Sequence, residues 1–134
     1  MRNKKLDDLI LQLENYLECW KQFNHFINLA RSKKFGTDEE SQFLEIKSVI
    51  AQELEMIMAA IHEGAPPKDD VHSLIASAPS IRYLSEMNEG ALRGVENQWH
   101  KMFISWQSIL GQLKVQQRDL ESKSRFSGFF GKKR

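Results

Sequence analysis

The chain has 134 residues, 19 of them Lys or Arg and 18 Asp or Glu, which fits one domain with no strong field to draw in nucleic acid. A hydrophobic fraction of 41% builds one core and argues against whole-chain disorder, and the single cysteine excludes an intramolecular disulfide framework or a cysteine-based zinc site. The longest apolar run, residues 56–61, is far too short to span a bilayer. The basic start Met1-Arg2-Asn3-Lys4-Lys5 is followed by Asp7 and Asp8, which interrupt the apolar stretch a signal peptide needs.

The first stretch has a helical period. Leu6, Leu9, Leu13, Tyr16, Trp20, Phe23, Ile27 and Ala30 recur at spacings of three and four, and Ile10, Leu17, Cys19 and Phe26 widen the face. Such a face touches two neighbours at once, as in a bundle. The pattern predicts a helix from about Lys4 to Lys34, with Gly36 as its stop. Thr37-Asp38-Glu39-Glu40 then reads as a capping box, with the threonine as cap and Glu40 reaching back. Phe43, Ile46, Ile50, Ile57 and Ala60 continue a second helix that ends before Gly64-Ala65-Pro66-Pro67. A short link makes these two helices antiparallel neighbours.

Residues 68–87 are less regular. Pro67 suits a first helical position, Val71, Leu74, Ile75 and Ala78 form a short amphipathic run, and Pro79 ends or bends it. Ala91, Val95, Trp99, Met102, Trp106, Ile109, Leu113 and Leu120 mark a last long helix, with a break expected near residues 88–90. No strand pattern occurs. The expected fold is all-α: an antiparallel bundle of three long amphipathic helices plus a short helical segment near residues 68–87.

Chemistry finds little support. A di-iron bundle needs Glu-x-x-His pairs facing inward, and only Asp69–His72 places a carboxylate three residues before a histidine. Glu96 and His100, four apart, read as a solvated pair. Cys19 beside Trp20 reads as a small buried hydrophobe. The carboxylate pairs Asp7-Asp8, Glu39-Glu40 and Asp69-Asp70 sit at helix starts, where the helix dipole explains them. Trp20, Trp99 and Trp106 read as core, with some indoles at its edge where their N–H groups stay wet. No catalytic, metal or cofactor site is expected, and the chain reads as no enzyme.

The end of the chain differs in composition. Residues 1–122 carry 14 basic and 18 acidic side chains, a net of −4, whereas residues 123–134 carry five basic and none acidic. A helical bundle domain over 1–122 and a basic, phenylalanine-containing flexible tail over 123–134 follow, because Gly128 and Gly131 argue against helix there. Lys123, Arg125, Phe126, Phe129, Phe130, Lys132, Lys133 and Arg134 are the candidate binding residues. They suit the groove of a protein partner or an anionic membrane surface; nucleic acid is not expected as a partner, and the bland alternative is a solubilising tail. An up, down, up order of three long helices would bring Arg31, Lys33, Lys34 and Phe35 to the same pole.

The expected function is a non-enzymatic interaction module: an adaptor, scaffold subunit or small chaperone with a docking tail. A peripheral membrane protein is the first alternative and a metal-binding bundle the second. A homodimer is feasible because the apolar faces are wide. The lone cysteine suits the cytoplasm, with or without membrane attachment.

Overall fold

The computed structural model describes residues 3–61 and 64–131, with side chains through Lys123. These residues form five α-helices and no strand: α1 Lys4–Ser32, α2 Thr37–Ala60, α3 Lys68–Ala76, α4 Ile81–Ser85 and α5 Glu89–Gly131. The fold is all-α.

Local chemistry sets the ends. The Asn3 side chain accepts the Leu6 N–H at 3.2 Å and starts α1. Lys33 ends it in the left-handed region, at φ 57° and ψ 35°. Its N–H donates to Ala30 and the Lys34 N–H to Leu29, a Schellman closure. The helix therefore stops three residues before Gly36, which serves as the N-cap of α2 instead. Glu39 reaches back to the Gly36 N–H at 2.6 Å. The expected box is thus shifted by one residue, and Glu40 is released for a different task. Its carboxylate accepts the backbone N–H groups of Ile81, at 2.7 Å, and Arg82, at 3.1 Å. Ser80 Oγ accepts the third, from Tyr83, so the first turn of α4 is fully capped. Pro67 precedes α3 as its N-cap, and Asn88 caps α5 through the Ala91 N–H at 2.8 Å. The expected break before the last helix falls at residues 86–88.

Cross-contacts give the directions. Tyr16 donates to the Ile50 carbonyl, and Phe43 packs on Phe23 and Phe26, so α1 and α2 are antiparallel. Arg31 pairs with Glu96, Trp99 donates to the Trp20 carbonyl, Glu14 pairs with Lys114, and Asp7 holds Gln117. Hence α5 is antiparallel to α1 as well, and α2 and α5 run the same way. The reason is the segment between them. Lys68 pairs with Glu55 near the end of α2, the Pro79 carbonyl accepts from Lys47, and Ile81 meets Glu40 at its start. Together α3 and α4 climb back along α2, a third rod built from two short helices. The order is up, down, up, down.

The core runs along α1, where Leu13, Tyr16, Trp20, Phe23, Ile27 and Ala30 are fully or almost fully buried. Leu54, Ile57, Leu74, Ile81 and Trp106 close on it from the other helices. No polar or charged residue is buried among the described residues. The tryptophans depart from expectation: Trp20 and Trp106 are completely enclosed, and neither indole N–H has a partner among the described residues. Only Trp99 satisfies its N–H, at 2.7 Å from the Trp20 carbonyl. Tyr16 makes edge-on contacts with both rings.

Candidate functional site

The pole where the chain ends is built from two helix termini and a third helix. α1 begins there, α2 finishes there, and α5 passes through. Among the described side chains of α5 the last buried one is Ile109, although the helix runs on to Gly131. Leu113 and Leu120 are only half-buried. The third rod begins beside Glu55, and the link that precedes it folds back onto this pole, with Ala65 against the core and Gly64 beside Ile109. A cleft of about 560 Å³ opens there, walled by Leu6, Leu9, Ile61, Ile109 and Leu113. Lys5 and the amides of Gln112 and Gln116 form its polar edge. The Gln117 amide donates to Asp7 at 2.8 Å and ties α5 to α1 just past the cleft.

Just past that tie Leu120 and Glu121 still lie beside Asn3 and Leu6 at the start of α1. From Glu121 to Gly131 α5 continues for about 15 Å, at ~1.5 Å per residue. The expectation that Gly128 and Gly131 keep the end of the chain out of helix is corrected: the helical backbone includes both. Glycine lowers helix propensity by only about 1 kcal/mol, and the turns upstream are already formed. Lys123 lies exposed on this overhang. Arg125, Phe126, Phe129 and Phe130 lie on its backbone, with side chains outside the described residues, and Lys132, Lys133 and Arg134 fall outside them altogether.

Arg31, Lys33, Lys34 and Phe35 do not join this pole. They lie at the opposite end of the bundle, because α3 and α4 return the chain before α5 begins. Lys33 and Lys34 are exposed there, and Arg31 is paired. The Arg31 guanidinium forms a fork on Glu96 at 3.0 and 3.1 Å and approaches Glu89 at 3.4 Å. The Glu96 bond, with the charges of Glu96 and Glu89, holds it above the ordinary arginine range against slight desolvation. Phe35 is half-buried against the core.

The side chains considered for chemistry are separated or occupied. Glu96 faces Arg31 rather than His100, whose ring lies 6.2 Å from that of Trp99. Asp69 and His72 are both exposed, and among the described residues no three His, Cys, Asp or Glu side chains converge as metal ligands would. Burial pushes the Cys19 thiol up, and the charges of Glu53 and Glu18 add to this, the reverse of an activated thiolate. A second groove of about 360 Å³ between α1 and α5 is crossed by the Glu14–Lys114 pair at 3.2 Å.

The cleft was hidden in the sequence. Leu9 and Leu113 continue the same periodic stripes as the buried residues, so no pattern marks the level at which the cleft opens. No family model matches the chain, and neither does a curated protein or a solved structure. Among the described residues no helix is long and apolar enough to cross a membrane.

Proposed function

We propose that the chain is a non-enzymatic helical interaction module, an adaptor, scaffold subunit or small chaperone whose contact element is the α5 overhang. One observation carries this reading: α5 spans 43 residues against 29 and 24 for α1 and α2, and the excess lies at one pole beside an open apolar cleft. A helix prolonged past its own bundle forms no core with it and offers its faces to another molecule. The overhang is also where the charge changes sign, from a net of −4 over residues 1–122 to five cations beyond. The lone cysteine suits a reducing compartment, the cytoplasm.

A peripheral membrane role is the second reading. Its support is that positions 126, 129 and 130, all phenylalanine, are spaced as one face of a helix, among Lys and Arg. Such a segment lies in the plane of an anionic interface.

A photoreactive residue placed at position 129 of the full chain separates the two inside cells. Cross-links to protein, with none at an exposed site such as position 44, support the module. Cross-links confined to lipid favour the membrane reading, and cross-links to neither remove both.

A further inference from the structure

Ile109, Gln112, Gln116, Asp119, Lys123, Phe126 and Phe130 follow one another along α5 at alternating spacings of three and four. That is the seam on which two helices pair side by side. Its first part, Ile109, Gln112 and Gln116, lines the apolar cleft. Its middle, Asp119 and Lys123, is exposed. Its last part holds two phenylalanine positions on the overhang. One side of α5 therefore offers an uncovered cleft at one level and large apolar residues about 25 Å further on, at ~1.5 Å per residue.

Each half of this seam complements the other when two copies are laid antiparallel. With a twofold axis level with residue 121, position 130 falls opposite Gln112 of a second copy, position 126 opposite Gln116, and Lys123 opposite Asp119. All three are core positions of an antiparallel pair, and the central one joins opposite charges, twice by symmetry. A parallel pairing would set Lys123 on Lys123 and Asp119 on Asp119.

We propose that the chain forms a twofold homodimer through antiparallel α5 helices, with Phe126 and Phe130 of each copy covering the Leu6–Leu9–Ile109–Leu113 cleft of the other. This homodimer rests on the reading of the overhang as a contact element and makes its partner a second copy of the chain.

Sedimentation equilibrium of the full chain over a range of concentrations tests it. The expected mass is that of two chains, falling to one on dilution. Phe126→Ser with Phe130→Ser weakens association by at least ~10-fold. Lys123→Glu also weakens it, and adding Asp119→Lys restores it, because the charge pair is rebuilt with its signs exchanged. Both residues are exposed, so these two variants keep the fold even if the phenylalanine variant does not. A mass of one chain at every concentration overturns the homodimer, as does a dimer indifferent to these substitutions or a double reversal without rescue. A one-chain mass with cross-links from position 129 to a different protein removes the homodimer and leaves the module reading standing. The absence of any protein cross-link removes both.

Discussion

The Glu40 carboxylate accepts the backbone N–H of Ile81 at 2.7 Å, across 41 residues of sequence. Its second oxygen takes the N–H of Arg82. A side chain of the first turn of α2 thus caps a helix of five residues that has little intrinsic stability of its own. Removing both acceptors in Glu40→Ala should cost about 1–2 kcal/mol, the range of a lost helix cap. The loss should be local. Amide exchange at Ile81 and Arg82 is expected to quicken well before exchange in α1, and Glu40→Gln, which keeps one acceptor, should fall between. Unchanged exchange at both amides would exclude the capping role.

A second long-range bond ties α5 to α1. The Trp99 N–H donates to the Trp20 carbonyl at 2.7 Å, while the Trp99 ring stacks on Phe103 with centroids 4.8 Å apart. Trp99→Phe keeps an aromatic ring but loses the donor and part of the ring volume. A loss of about 1–2 kcal/mol is expected in urea unfolding, with the phenylalanine variant more stable than Trp99→Leu.

Lys33 holds a left-handed backbone at φ 57°. A side chain there costs energy that glycine avoids. Lys33→Gly should stabilise the chain by about 0.5–1 kcal/mol, since the Schellman bonds are made by backbone and remain. Thermal unfolding checks the sign: a lower midpoint would mean that the lysine contributes more than its backbone strain removes.

Tyr16 predicts a pH dependence. Its hydroxyl, buried and donating to the Ile50 carbonyl, is held well above the ordinary tyrosine value of 10.0, first by desolvation and with the Glu53 charge adding to it, against a smaller opposing effect of the neighbouring Trp20. The folded chain therefore keeps a proton that the unfolded chain gives up. That contribution to stability is complete below pH 10 and is lost progressively as the pH rises above it. Lys47, whose ammonium burial pushes down against the charge of Glu40, works in the opposite sense. The comparison with Tyr16→Phe isolates the tyrosine. The variant should be less stable near neutral pH by about 1 kcal/mol for the lost hydrogen bond, and its stability should fall less steeply above pH 10. Parallel profiles would remove the link.

The elements were legible because their periodicity is local. Leu6 through Ala30 announce α1, and Phe43 through Ile57 announce α2, since residues three and four apart meet on one helix face whatever the tertiary fold. The direction of α5 was not legible. Whether α5 begins at the Arg31 pole depends on α3 and α4 carrying the chain back, and that rests on Glu40 reaching Ile81 and Lys47 reaching Pro79. No spacing rule links such residues. The same blindness put Arg31 beside the end of the chain when it faces Glu96. Composition set residues 123–134 apart by their charge alone. It misjudged the backbone of residues 123–131, because glycine's propensity is a small term beside the propagation of a long helix already formed. The cleft escaped notice because it is an absence of a neighbour, and a sequence records only the side that remains.

The pairing of α1 with α5 also sets a timetable for synthesis. Asp7 meets Gln117, 110 residues later in the chain, so the side of α1 that receives Trp99 stays uncovered while everything between them is made. At roughly 5–20 residues per second, a newly made chain carries that apolar stripe for about 5–20 seconds after α1 emerges. During this interval α2 covers only one flank. The helix around which the bundle is organised is made before the helices that enclose it, so its outer stripe waits longest for its cover.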